Sequence, residues 1–311
     1  MMRKYLEDVV NDKNLVWDKS LETQVERFLV KLNDGVIGEL KRNISNSNVN
    51  ESDFPLLEKE IRYLKEEFLI NGVGFFIIDG TTLSSFSKED TKKIYDIISK
   101  QLGKLYIQNI QNEYFVEIKD IGKLMRSGGR YHHTKEGGSY HSDGPQWQKV
   151  PDYIGMYCVN PAKKGGVSKF VSAYSIHNHI LKNEEKYLKT LYEKFYFDKR
   201  GEFEEGESPT VYEPIFQLID DKLNCRYLRD YIDAGHKISN KPLTEDQIMA
   251  LDYFDEISMK QDIVIDYNLK SRDMAFFNNH RILHGRTNFE DFDDERLKRL
   301  MIRTWIKDIK S

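Results

Sequence analysis

The sequence predicts a mainly β fold with α decoration: a jelly-roll barrel flanked by helices. Three observations carry that expectation. From about residue 114 onward, short runs rich in β-branched and aromatic residues recur between long polar loops. Strand and helix do not alternate regularly along the chain, which weakens a doubly wound parallel-sheet reading. The helical blocks instead interrupt the strand-rich region as insertions, a pattern that suits a decorated jelly roll.

The elements follow in order. The first forty residues read as helical, with Val25, Phe28, Leu29 and Leu32 at helical spacing. ISNSNVNESD (44–53) is polar, aperiodic and linker-like. Leu57, Ile61, Leu64 and Phe68 then mark an amphipathic helix running into a short buried strand within NGVGFFIIDG (71–80). A second helix opens near Ser87, carries acids in its first turn, and ends at Gly103 with Ile94, Ile97, Ile98 and Leu102 inward. Strands are expected over 114–121, 152–159 and 168–173. The stretch 126–146 is too glycine-rich and polar for a regular element, and long loops of this kind often carry function. Residues 176–196 read as helix. Thr244-x-x-Gln247 is a capping box that starts another, with Ile248, Leu251, Phe254 and Ile257 on one face. The end reads strand, loop, strand. The chain thus divides into an N-terminal helical extension and polar linker (1–53) and a barrel domain (54–311) with helical insertions near 176–196 and 244–258.

Composition excludes several classes. With 47 Lys+Arg against 51 Asp+Glu, the net charge of -4 lacks the basic excess of a nucleic-acid binder. Cys158 and Cys225 are too few for a disulfide scaffold or a cysteine-based zinc site. No apolar run is long enough to span a membrane, and the start has no apolar signal region. The expectation is a soluble cytoplasmic protein with a small-molecule partner, and neither nucleic acid nor membrane; nothing in the sequence sets the oligomeric state.

Eight histidines need sorting. His177 and His179 lie two apart on an expected helix, diverge, and read as surface residues. His236 reads as a loop residue, and His280 as a structural one. His132 and His133 sit in the suspect loop. His141-Ser-Asp143 differs, because residues i and i+2 of an extended segment face the same side. A non-haem Fe(II) site needs two imidazoles and one carboxylate on one face, and His284 in FFNNHRILHGRTNF supplies the second imidazole. Arg299 and Arg303 lie four apart on an expected strand, about 13 Å along it, on one face. An inward arginine needs an anion: either a dicarboxylate ligand or a structural partner in the nearby DFDDE.

Together these residues resemble the Fe(II)/2-oxoglutarate-dependent oxygenases of the taurine dioxygenase and clavaminate synthase-like family, over roughly residues 55–311. DMAFFNNHRILHGRTNFED (273–291) is similar to that family's distal-histidine segment, HSDGP to its proximal H-x-D motif, and KKGGVSKFVSA to its GG-x-[ST] segment. Where the family often has Pro-Gly-Asp before the distal strand, this chain has Lys270-Ser-Arg-Asp273. The resemblance implies a double-stranded β-helix of cupin-like type. It implies Fe(II) held by His141, Asp143 and His284, with 2-oxoglutarate and O2 as cosubstrates. Ser168 and Arg299 would hold 2-oxoglutarate, with Arg303 nearer the metal touching the cosubstrate or a substrate anion. The implied reaction is hydroxylation, or desaturation or cyclisation, at an unactivated C–H bond of a small polar molecule such as an amino acid or natural-product intermediate, releasing succinate and CO2. Retention of Asp143 argues against halogenation. Substrate contacts are expected from Tyr131, His132, His133 and Trp147 in the loop, and from Arg226 and Arg229. A non-catalytic cupin-like metal- or ligand-binding protein, and a zinc hydrolase on the same ligands, are the alternatives.

Overall fold

The computed structural model describes residues 5–46, 49–122, 133–138 and 140–309. Its centre is two mixed-length sheets with helices on both outer sides. The larger sheet has seven strands. Phe75–Ile78, Met274–Asn278, Tyr153–Asn160 and Leu300–Lys307 run antiparallel through its middle, and Leu29–Val30 joins one edge in parallel. The smaller sheet sets Ser168–Ser172 between Val264–Tyr267 and Ile282–Arg286, all antiparallel.

Strand periodicity sorts the side chains of the large sheet into two cores. Phe76, Ile78, Met274, Phe276, Tyr157, Ile302 and Ile306 face out, against the helices Asp34–Asn43, Pro55–Leu64 and Lys88–Leu102. Phe75, Ile77, Ala275, Phe277, Ile154, Met301 and Trp305 face in, toward Phe170 and Ile282 of the small sheet. Arg303 lies between Met301 and Trp305, so the same alternation aims it inward. A third core packs the outer face of the small sheet against Ala173–Asn183, Glu185–Leu191, Arg229–Ile238 and Glu245–Ser258. No described helix is long and apolar enough to cross a membrane.

Several expected elements stand as read. Ser87 caps the helix Lys88–Leu102 through the Asp90 N–H, and the Thr244/Gln247 capping box is formed on both sides. Others need correction. Val25–Leu32 is not a helix: Val25–Arg27 is a single tight turn and Leu29–Val30 is a strand. Phe28 fills the inner core and Leu32 the outer, so their helical spacing is a coincidence of two burial directions. The N-terminal segment is woven into the molecule, with the Trp17 indole donating to the Val73 carbonyl at 3.0 Å and Asn178 bonded to both backbone groups of Val10. The helical reading of 176–196 overruns, because Lys194–Asp198 is a strand paired with Thr210–Pro214. Ile248 is exposed, and Ala250 takes its expected place beside Leu251, Phe254 and Ile257. At the Lys270–Asp273 turn, Arg272 adopts φ +74°, and the Asp273 carboxylate accepts the N–H groups of Gly80 and Lys270.

Candidate active site

His141 and His284 meet as an antiparallel backbone pair, His141 N–H to His284 O at 3.0 Å and the reverse at 2.9 Å. Their rings are 4.4 Å apart, centroid to centroid. Extended geometry turns Ser142 away, where it exchanges hydrogen bonds with the Tyr227 backbone, and brings Asp143 back to the side of His141. One nitrogen from each imidazole and one Asp143 oxygen lie within 4.8 Å of one another, and all three residues are buried. Gly144 then turns the chain at φ +64°. A Cβ there would press on Pro151 at 3.0 Å and on the Trp305 ring.

Asp143 is held from every side. Its Oδ1 accepts from Arg303 Nη1 and its Oδ2 from the Trp305 indole, each at 3.0 Å. Its backbone N–H and carbonyl are both gripped by the Asn279 amide, at 2.8 and 2.9 Å; Asn279 also donates to the Pro151 carbonyl. Burial alone would raise the Asp143 carboxyl, but Arg303, the two imidazoles and the Trp305 hydrogen bond hold it below its ordinary value. Burial, with His141 alongside, pushes His284 down to about 3, so it stays a neutral imidazole with a lone pair to give.

The three residues line a cavity of about 100 Å³ between the sheets, several times the roughly 10–15 Å³ that one water needs. Ser168, Arg299 and Arg303 line it too. Arg299 sits one residue before its strand, with a bulge at Leu300/Met301, so the two arginines do not share a regular strand face as their spacing suggested. Both nonetheless reach the cavity. Three of the four acids of DFDDE are engaged elsewhere: Asp294 pairs with Arg296, Glu295 with Lys298, and Asp291 accepts the Arg299 backbone N–H. Gly166, at φ +67°, allows the Arg299 Nε to approach where a Cβ would stand 3.2 Å away. Arg286 is a cavity residue that the sequence reading missed. Its guanidinium lies 4.9 Å from the Phe289 ring centre, that of Arg299 5.0 Å, and it donates to the Thr134 carbonyl. Its place two residues after His284 on the same strand was the available signal. Gln146 and Asn279 were also missed, and nothing in their residue type marked them.

The expected substrate residues fare differently. Tyr131 and His132 lie outside the described residues. His133 is half-buried, its carbonyl accepting from Ile121 N–H, and does not line the cavity. Trp147 packs edge-on behind Trp305, away from the cavity. Arg226 is half-buried outside it, donating to the carbonyls of Pro145 and Trp147. Arg229 is spent on Asp233, Asp252 and Asp255. Leu228 and Tyr231, from the same region, do line the cavity.

Three other histidines settle into the fold. His177 is fully buried, not a surface residue; burial lowers it to about 4, and its Nε2 meets the Tyr192 hydroxyl at 3.0 Å. His236 is in a helix, not a loop, between Lys241 O and Tyr196 N–H. His280 pairs with Asp152 at 2.9 Å, as a structural histidine should.

The donor set fits a divalent iron: two imidazoles, one carboxylate held below its ordinary value, and a His284 Nδ1 that is buried with no hydrogen-bond partner. Such a face, opening on a cavity walled by guanidiniums, defines a non-haem iron oxygenase. Residues 37–305 match the family described as "Taurine catabolism dioxygenase TauD, TfdA family", and the chain belongs to that family, whose enzymes use Fe(II), 2-oxoglutarate and O2. It is 26% identical over 307 residues to the FR-33289 synthase of Streptomyces rubellomurinus (strain ATCC 31215), covering 94% of this chain and 88% of the relative. A taurine hydroxylase-like protein, SAT17, of Stachybotrys chartarum is 29% identical over 154 residues, 48% of this chain and 38% of its own. Among solved structures, the fold is shared with asparagine oxygenase in complex with Fe(II), 2S,3S-3-hydroxyasparagine and succinate, at a TM-score of 0.68 and 12% identity (90% of this chain, 93% of that one). It is shared also with the non-haem iron oxygenase OrfP in complex with Fe and α-ketoglutaric acid, at 0.64 and 14% (90% and 94%).

Proposed function

We propose that the protein inserts oxygen into, or desaturates or cyclises at, an unactivated C–H bond of a small polar molecule such as an amino acid or natural-product intermediate, with release of succinate and CO2. The observation that carries this is the convergence of His141, Asp143 and His284 on one cavity wall beside Arg299 and Arg303. When bound, iron with 2-oxoglutarate supplies the activation of O2. The chain's own part is to orient. His141 and His284 would each offer the metal a ring nitrogen, and Asp143 an oxygen kept anionic by Arg303. Arg299 and the Ser168 hydroxyl meet the far carboxylate of 2-oxoglutarate, a guanidinium fork matching a carboxylate better than a point charge. Arg303 spans Asp143 and Gln108 at 3.0 and 2.8 Å, which ties the metal face to a second wall residue of the cavity.

The same reading makes the two sheets the halves of a double-stranded β-helix, residues 54–311 its oxygenase unit with 1–53 an extension wrapped onto it, and the cytoplasm its reducing location. The test is anaerobic addition of Fe(II) and 2-oxoglutarate followed by O2. A visible charge-transfer band, then succinate, is expected; product mass gains one oxygen for hydroxylation or loses two hydrogens for desaturation or ring closure. Absence of both band and succinate sinks the proposal.

A further inference from the structure

Trp305 is the only tryptophan among the described residues that line the cavity, and its indole N–H donates to Asp143 Oδ2 at 3.0 Å. Its ring meets that of Trp147, with centroids 6.3 Å apart and planes at 89°. Trp147 in turn meets Tyr106, at 6.1 Å and 65°. Both spacings lie within the roughly 4.5–7 Å of aromatic rings in contact. Tyr106 ends the strand Lys104–Tyr106 at the edge of the large sheet and is half-buried. Three rings thus run in unbroken contact from a candidate metal ligand to the surface. Apolar packing would be served as well by phenylalanine. Tryptophan and tyrosine differ from it in readily giving up a single electron.

Charge along the row gives it a direction. The Arg303 guanidinium stands 5.1 Å from the Trp305 ring centre, which makes an electron vacancy on that ring costly. At the other end, burial and the nearby Asp152 carboxylate raise the Tyr106 phenol above its ordinary pKa, and the same negative charge favours a vacancy there. Between them, Trp147 Nε1 is shielded from solvent and has no hydrogen-bond partner. This indole has nowhere to lose its proton, so it passes a vacancy on. Its backbone is fixed, the carbonyl by Arg226 Nη1 at 2.9 Å and the N–H by Gly144 O at 3.0 Å.

We propose that Trp305, Trp147 and Tyr106 form an electron relay that protects the active site when 2-oxoglutarate is consumed with no substrate C–H bond to attack. This rests on the oxygenase reading above. Consumption of 2-oxoglutarate places one atom of O2 in succinate and leaves the other needing two electrons and two protons to depart as water. Trp305 supplies an electron, Trp147 refills Trp305, and Tyr106 refills Trp147 while releasing its phenol proton to water. A one-electron reductant in solution, of the ascorbate class, returns an electron to the tyrosyl radical, which takes back a proton. Two passages deliver the two electrons, and solvent delivers the two protons.

The test admits O2 to the Fe(II)- and 2-oxoglutarate-loaded enzyme without substrate, freezes samples for electron paramagnetic resonance, and maps added oxygen by peptide mass spectrometry. A tyrosyl signal is expected in the wild type, quenched by ascorbate. Tyr106→Phe should replace it with a tryptophanyl signal. Trp147→Phe keeps a ring but breaks the relay, so it should abolish the tyrosyl signal and raise oxygen insertion into Trp305 and its cavity neighbours severalfold. Trp147→Tyr, oxidisable again, should reverse that rise. The charge-transfer band with 2-oxoglutarate, expected unchanged in each variant, reports that the site is folded. The relay is overturned if a tyrosyl signal survives in Tyr106→Phe, if Trp147→Phe leaves signal and oxygen map as in the wild type, or if the loaded wild-type enzyme shows the band but forms no protein radical. Absence of both band and succinate overturns the oxygenase reading, and the relay with it.

Discussion

The space between the sheets and the helical layer behind the small sheet both contain buried or half-buried arginines and histidines, placed differently. In the helical layer each is consumed by the fold: Arg226 by two carbonyls, Arg229 by three carboxylates, His236 by Lys241 O and Tyr196 N–H, His177 by the Tyr192 hydroxyl. Between the sheets, His141, His284, Arg299 and Arg303 all border open volume, Arg303 while it also holds Asp143 and Gln108. Residue type is the same in both places. What separates them is whether the strand alternation aims the side chain at a cavity or into packed structure.

Breaking the inner set should do the greatest damage. His284→Ala is expected to lower Fe(II) affinity and succinate formation by at least about a hundredfold, measured by anaerobic Fe(II) titration and product assay. Asn279→Ala comes next, because it strips partners from Asp143 N–H, Asp143 O and Pro151 O together. Fe(II) affinity should fall about tenfold to a hundredfold, and denaturant titration should show a loss of about 2 kcal/mol or more. Arg299→Gln should weaken 2-oxoglutarate binding about tenfold to a hundredfold in calorimetry while leaving Fe(II) affinity in place.

The helical layer should answer to stability alone. His177 has its folded pKa lowered by burial from the ordinary 6.5 to about 4. The unfolded chain therefore binds the proton first as pH falls. Stability should be insensitive to this group above about pH 6.5 and should drop by about 1.4 kcal/mol per unit between 6.5 and 4. His177→Phe should flatten that slope in melts across pH. Arg229→Ala, which removes a half-exposed ion-pair cluster, should cost about 1 kcal/mol or less and leave 2-oxoglutarate affinity unchanged. A large effect on that affinity would erase the distinction between the two regions.

The inner region was legible in the sequence where chemistry constrains spacing. His141 and Asp143 at i, i+2 share a face because the segment is extended, and Ser87 and Thr244 announce their helices through cap chemistry. Burial direction was less legible. Phe28 and Leu32 mimic a helix while serving different cores, Ile248 holds a helical position yet faces solvent, and His177 carries a surface residue's pattern inside the protein. Asn279 and Gln146 were silent for a different reason. An amide's role depends on which backbone groups come to it through tertiary contact, as Asp143 and Pro151 do to Asn279 from more than a hundred residues away.

The central claim is that these three side chains hold the iron. Anomalous diffraction at the iron edge, from crystals grown without O2 in Fe(II) and 2-oxoglutarate, tests it most directly. The account predicts one strong peak between His141, Asp143 and His284, absent in His284→Ala. A peak elsewhere, or no peak in a crystal shown to contain iron, contradicts it.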